Sequence, residues 1–202
     1  MCIGLVSLLS QKGSKRHRQA GKYLLPAAII VCSTAVIGIF VDSTRPALIA
    51  ISISATYQLI SGMRALSLRG RMPTKWDGVI AIVGLFLAMW FMLHMRAGTS
   101  SFPPAMGYSA MGYVIFLSCY DLSRNAWYQR WGKLVWPIDH GLKMAGFYFA
   151  MVAAAAGNLL RNFQPWSQIV PTVLGVLVLF TFAGLYFVKG RSKGAQVGAP
   201  VS

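Results

Sequence analysis

Six apolar runs, at residues 23–41, 46–66, 76–95, 104–120, 140–160 and 167–188, take up most of this 202-residue chain. Each is close to the roughly 20 residues that an α-helix needs to cross the hydrocarbon core of a bilayer. Inside that core every backbone amide must find a partner within the protein, and the helix is the economical way for a single segment to do so. The expected fold is therefore all-α: one polytopic domain, a bundle of six transmembrane helices spanning residues 23–188. A basic tail, 1–22, precedes it and a second tail, 189–202, follows it.

Charge supports the same reading. Only 11% of the residues are charged, against roughly a quarter in a soluble domain. The acids are limited to Asp42, Asp77, Asp121 and Asp139. The net charge of +15 does not indicate a nucleic-acid binder, because the basic residues fall between the apolar runs and not along one soluble face. With the N-terminus inside, fifteen Lys and Arg lie on the inner side and three (Arg45, Arg96 and Arg161) on the outer, with Lys143 within the fifth span. The positive-inside rule then makes both termini cytoplasmic. The expected location is a bacterial inner membrane, with anionic lipids against the basic face.

Residues 1–10 are apolar, but basic charge follows them, which is the wrong order for a secretory signal. They are read as a short tail, either on the membrane surface or without fixed structure. Cys2, Cys32 and Cys119 show no paired spacing and are read as small packing residues.

Local signals mark where helices begin. Ser43 and Thr44 precede Pro46, Pro103 and Pro104 open the fourth span, and Asp139 is placed to cap the fifth. Asp77 falls in the first turn of the third span, where a negative charge complements the helix dipole. In residues 124–136, Trp127, Tyr128, Trp131, Leu134 and Val135 share one face, and Arg124, Asn125, Gln129, Arg130 and Lys133 share the other. That is the pattern of an amphipathic helix lying in the headgroup region. Gly146, Ala150, Ala153, Ala154 and Gly157 give the fifth span a small-residue face, which places it at the centre of the bundle. The bulky third span is expected to face lipid.

Few residues are candidates for chemistry. In this topology His17 and His140 lie at the same face, and His94 lies most of a membrane thickness away. Two imidazoles on two helices suit the axial positions of a b-type haem. The competing reading is that both hydrogen-bond at headgroup level. Among polar residues within spans, Gln58 sits near the middle of the second and Asn158 near the outer end of the fifth. Lys143 lies one turn after Asp139 and His140, close enough to the inner interface to snorkel. Asp139, His140 and Lys143 read either as a group that relays protons or binds an anion, or as a helix start with its cap and anchor. Gln58 and Asn158 serve either substrate contact or hydrogen bonding between helices. All four Asp fall at or beyond helix ends, which counts against a proton-coupled route.

Several stretches recur in a known arrangement. They are His17-Arg18-x-x-Gly21-Lys22 before the first span and Tyr57-Gln58-Leu59-Ile60-Ser61-Gly62-Met63-Arg64-Ala65-Leu66 at the end of the second. Then come Trp136-x-x-x-His140-x-x-x-Met144, Ala150, Ala154 and Asn158, and finally Val170-Pro171-Thr172-x-x-Gly175. In order and spacing these resemble a family of predicted bacterial membrane proteins, the domain-of-unknown-function family numbered twenty-three-oh-six. The resemblance implies a six-helix bacterial membrane protein and no known activity. Phe147, where a small polar residue is usual, and Ala154-Ala155, in place of Thr-Ala, depart from the pattern and make the fifth helix less polar.

The expected function is that of a non-enzymatic inner-membrane protein whose polar residues serve packing, lipid contact or binding to a membrane partner, including a second copy of itself. One alternative is a b-type haem electron-transfer protein ligated by His17 and His140. Another is a small-solute or proton-coupled transporter built around Gln58, Asn158 and Lys143.

Overall fold

Helix is the only regular structure among the described residues. These are residues 2–10, 13–41, 46–97, 104–163 and 165–197 of a computed structural model. Asp42, Ser43, Thr44, Arg45 and Pro103 lie outside them. The elements are α1 (Cys2–Leu9), α2 (Lys15–Val41), α3 (Pro46–Leu68), α4 (Lys75–Ala97), α5 (Pro104–Leu159) and α6 (Trp166–Val197), with a single 3-10 turn at Arg161–Phe163. Segments of α2, α4, α5 and α6 are long and apolar enough to cross a membrane. Ile30 and Ile37 of α2, Phe86 and Leu93 of α4, and Val173 and Phe180 of α6 are exposed to the surroundings. Water would penalise such rows of exposed hydrocarbon, whereas lipid would not. The start of the chain is helical, and Tyr148 of α5 and Leu24 of α2 lie against Gly4 of α1.

The fourth and fifth spans are not separate helices. They belong to α5, whose 56 residues are helical throughout and include Pro137. A straight helix of that length would run roughly 84 Å and would hold Asp121 and Lys143 roughly 33 Å apart. Their side chains are in contact, so α5 doubles back between Arg124 and Asp139. Residues 104–124 form a first arm and residues 139–159 a second, antiparallel to it. The stretch read as an interfacial helix, 124–136, carries the bend. Only part of its expected face division holds: Trp131 and Leu134 point outward, but Tyr128 is buried, and so is Arg124, which was assigned to the polar outer face.

The centre of the bundle is α3 and not the second arm of α5. On one side Ile49, Ala50 and Tyr57 of α3 join Ala88, Phe91 and Met95 of α4 and Met111, Val114 and Leu117 of the first arm. On the other, Ala55 and Leu59 join Ala28 and Cys32 of α2 and Phe147 of the second arm. The Phe147 ring therefore fills space left by the small residues of α2. Enclosed on both sides along much of its length, α3 buries Ser52, Ser54, Gln58 and Ser61, and leaves Ile60 exposed. The small-residue face of the second arm is shared: Gly146 lies against Gln58 of α3 and Ala150 packs on the α2–α3 cluster, while Gly157 lies against Gln168 of α6.

The turn from α3 to α4 is built from two local devices. Thr74 and Asp77 form a capping box, in which Asp77 Oδ2 accepts from the Thr74 amide and hydroxyl, both at 2.7 Å. Arg64 clamps the same carboxylate from α3, donating from Nε at 2.8 Å and from a terminal nitrogen at 2.9 Å. Ahead of this box, α3 ends on two left-handed residues, Arg69 at φ 48° and Gly70 at φ 82°. Gly70 lies directly against the backbone of Gly132 and Lys133 in the α5 bend, where a Cβ would come within 2.8 Å of Lys133 Cα. Gly70→Ala adds the collision to a left-handed penalty of about 1–2 kcal/mol. The expected result is a lowered Tm of the detergent-solubilised protein, with a loss of at least that size.

Candidate functional site: a buried ring of four charges

Each arm of α5 carries an acid followed within one turn by a base: Asp121 and Arg124 on the first, Asp139 and Lys143 on the second. Because the arms run in opposite directions, the acid of one meets the base of the other. Arg124 donates to Asp121 at 2.9 Å and to Asp139 Oδ2 at 2.8 Å. Lys143 donates to Asp121 Oδ1 at 2.5 Å and to Asp139 Oδ1 at 3.0 Å. Each base thus contacts both acids, and two positive charges balance two negative ones. The remaining oxygen of Asp121, Oδ2, accepts from the Tyr57 hydroxyl of α3 at 2.7 Å. All four side chains are only 1–2% exposed.

Aromatic rings cover the cations. The guanidinium of Arg124 lies 5.5 Å from the Tyr128 ring centroid, and Lys143 Nζ lies the same distance from that of Tyr120. One face of α3 borders the ring of charges. Gln58 donates to the Ser54 carbonyl at 3.2 Å and to its hydroxyl at 3.1 Å, while its Oε1 abuts Gly146 of the second arm. Gln58 Oε1 and Ser61 Oγ have no protein partner. Buried oxygens of this kind mark places where water or a polar ligand fits.

Several expectations are corrected here. Lys143 does not snorkel; the ring holds it inside the bundle. Asp139 does not cap a helix start, because the helix runs through it, and its charge goes to Arg124 and Lys143. His140 also reaches α3, with Nδ1 2.9 Å from the carbonyl of Gly62, the residue that the Lys143 side chain lies against. Asn158 is exposed at the far end of the second arm. It makes neither a helix-to-helix bond nor a contact with Gln58 that would form one site. Two carboxylates do lie inside the bundle, Asp121 and Asp139, although both had been placed at helix ends.

The two histidines proposed as haem ligands have separate attachments. His17 Nδ1 lies 3.0 Å from the Ser7 carbonyl of α1, whereas His140 is tied to α3. A ring nitrogen resting on a carbonyl suits a ligand whose other nitrogen binds iron, but the structure brings no contact or shared cavity to the pair among the described residues. His94 stacks on Trp90, with ring centroids 5.6 Å apart. Among the described residues, no three His, Cys, Asp or Glu side chains gather as a metal site.

Sequence reasoning missed Asp121 and Arg124 as site residues. The available signal was their spacing: an acid and a base three apart at the end of one apolar run, and an acid and a base four apart at the start of the next. No protein-family model, curated protein or solved structure matches this chain.

Removing one member of the ring leaves a buried charge uncompensated. Arg124→Met is expected to cost about 3–5 kcal/mol, read as unfolding free energy in mixed micelles. Arg124→Met combined with Asp139→Leu leaves Asp121 paired with Lys143 and should recover much of the loss. Simple addition of the two single losses would refute the ring as a cooperative unit.

Proposed function

We propose that this chain is a multi-pass protein of a bacterial inner membrane. In this reading it crosses the bilayer six times, with α2, α3, α4, the two arms of α5 and α6, and has both ends on the cytoplasmic side. The basic residues support it: Arg64, Arg69, Arg71, Lys75, Arg130 and Lys133 gather where the α3–α4 turn meets the α5 bend. The same reading keeps the resemblance to the predicted bacterial membrane family as a proposal.

The role we assign is non-enzymatic: a membrane-embedded body that binds lipid or a membrane partner. One observation carries this. The charges in its core are spent on one another, so the ring presents neither an unpaired carboxylate nor an unpaired amine to a substrate. A proton-coupled carrier is the second reading. It is favoured by Asp121 lying within the bundle against Tyr57 of α3, a helix that also carries the unpartnered Gln58 Oε1 and Ser61 Oγ.

Two measurements decide these points. In a background with Cys2, Cys32 and Cys119 replaced by Ala, Asn162→Cys should react with a membrane-impermeant maleimide in intact spheroplasts. Arg130→Cys should react only after lysis. The reverse pattern overturns the orientation, and labelling of both in intact cells overturns the crossing of the second arm. In proteoliposomes the non-enzymatic reading expects no decay of an imposed pH gradient. Decay that Asp121→Asn abolishes, in protein that remains folded, would establish the carrier instead.

A further inference from the structure

We propose that the C-terminal end of α3 holds the phosphate-bearing headgroup of one anionic phospholipid, in a cavity of about 390 Å³ lined by Met63, Leu66, Ser67, Arg69 and Arg71. The proposal rests on the membrane reading above and adds to it a particular site. Three features meet there.

The first is chemical composition. Met63 and Leu66 give the cavity an apolar wall, and Arg69 and Arg71 give it two guanidinium groups. A phospholipid has the matching pair of surfaces, acyl chain and phosphate. The planar guanidinium fork suits phosphate oxygens better than an ammonium does.

The second feature is the backbone at Arg69. Its φ of 48° lies in the left-handed region, which favours glycine or asparagine over an arginine. The turn needs that conformation because Gly70 must approach the α5 bend closely. Asparagine would meet the need with less strain. What arginine adds at this position is a cation at the rim of the cavity, and backbone strain of this kind gathers at binding sites.

The third is an electrostatic field of one sign. Arg71 is held in place by donating to the Leu68 carbonyl at 3.2 Å and the Ser67 carbonyl at 3.1 Å. Lys75, Arg130 and Lys133 are exposed nearby along the turn and the bend. The acid of this turn, Asp77, is already occupied by Arg64 and Thr74, so it does not neutralise the rim. The α3 carbonyls take two of the Arg71 donors, and an anion arriving here meets the remaining edge of that guanidinium together with Arg69 and the neighbouring basic side chains.

The test titrates the full-length protein in detergent micelles with phosphatidylglycerol and, separately, with phosphatidylcholine of the same acyl chains. Bound lipid is counted by native mass spectrometry. One phosphatidylglycerol should bind well ahead of phosphatidylcholine. Arg69→Asn keeps the left-handed backbone and removes the guanidinium. It should weaken phosphatidylglycerol binding by about tenfold, the worth of a charge-assisted hydrogen bond, with Tm unchanged or raised. Arg130→Gln, outside the cavity, removes only part of the surrounding field and should weaken binding clearly less than Arg69→Asn does.

Equal weakening by both variants would overturn the site in favour of diffuse surface attraction, and an Arg69→Asn variant that binds like the parent would overturn it outright. Inorganic phosphate at matched concentration that displaces the lipid and itself raises Tm would assign the cavity to free phosphate, against the proposal. Binding in micelles does not depend on which way the protein faces. A reversed labelling pattern in spheroplasts would therefore sink the orientation without touching this result, and the converse also holds.

Discussion

An ion taken out of water loses several kcal/mol of hydration, and four of them meet between the arms of α5. That loss is offset only while each ion touches its partners, so the ring fixes how the arms stand against each other. The bend, the antiparallel pairing and the placement of α3 follow from it. Tyr57 extends the constraint to α3, since its hydroxyl donates to the one oxygen of Asp121 that the bases leave over. At the turn beyond the ring, Arg64 and Asp77 repeat the principle on a smaller scale, joining α3 to α4.

The sequence made the helices legible and their grouping less so. The apolar runs correspond to helical backbone throughout, because period and length are properties of a single segment. Which helix sits in the middle is a property of several. The small residues of the second arm looked like the mark of a central helix; they are shared between α3, at Gly146, and α6, at Gly157, and the interior place goes to α3. Its serines, Gln58 and Tyr57 were the better signal: an apolar helix that keeps polar side chains needs neighbours that shield them. Composition along one helix carries that information only when read as what the surrounding helices have to tolerate.

The site was half legible, for a related reason. Asp139, Lys143 and Gln58 stood out as polar groups in or beside spans. Asp121 and Arg124 were discounted because they fall just past the end of an apolar run, where a charge usually meets water. Their burial depends on the reversal, and the reversal is made by residues 15 to 22 positions away in sequence. His140 was legible as a polar residue beside Asp139 and Lys143; what sequence could not show is its contact with the Gly62 carbonyl of α3, because that partner lies on another helix.

The ring also imposes an order in time. A chain made from its N-terminus presents Asp121 and Arg124 before Asp139 and Lys143 exist. At roughly 5–20 residues per second, about one to four seconds pass before the second pair is made. For that interval the first arm ends in an acid and a base that have each other and the Tyr57 hydroxyl, and lack the charges of the second arm. The first arm therefore cannot settle at its final depth alone. Its partner must arrive and fold back on it, which makes the helical hairpin, and not the single helix, the unit in which these charges are buried.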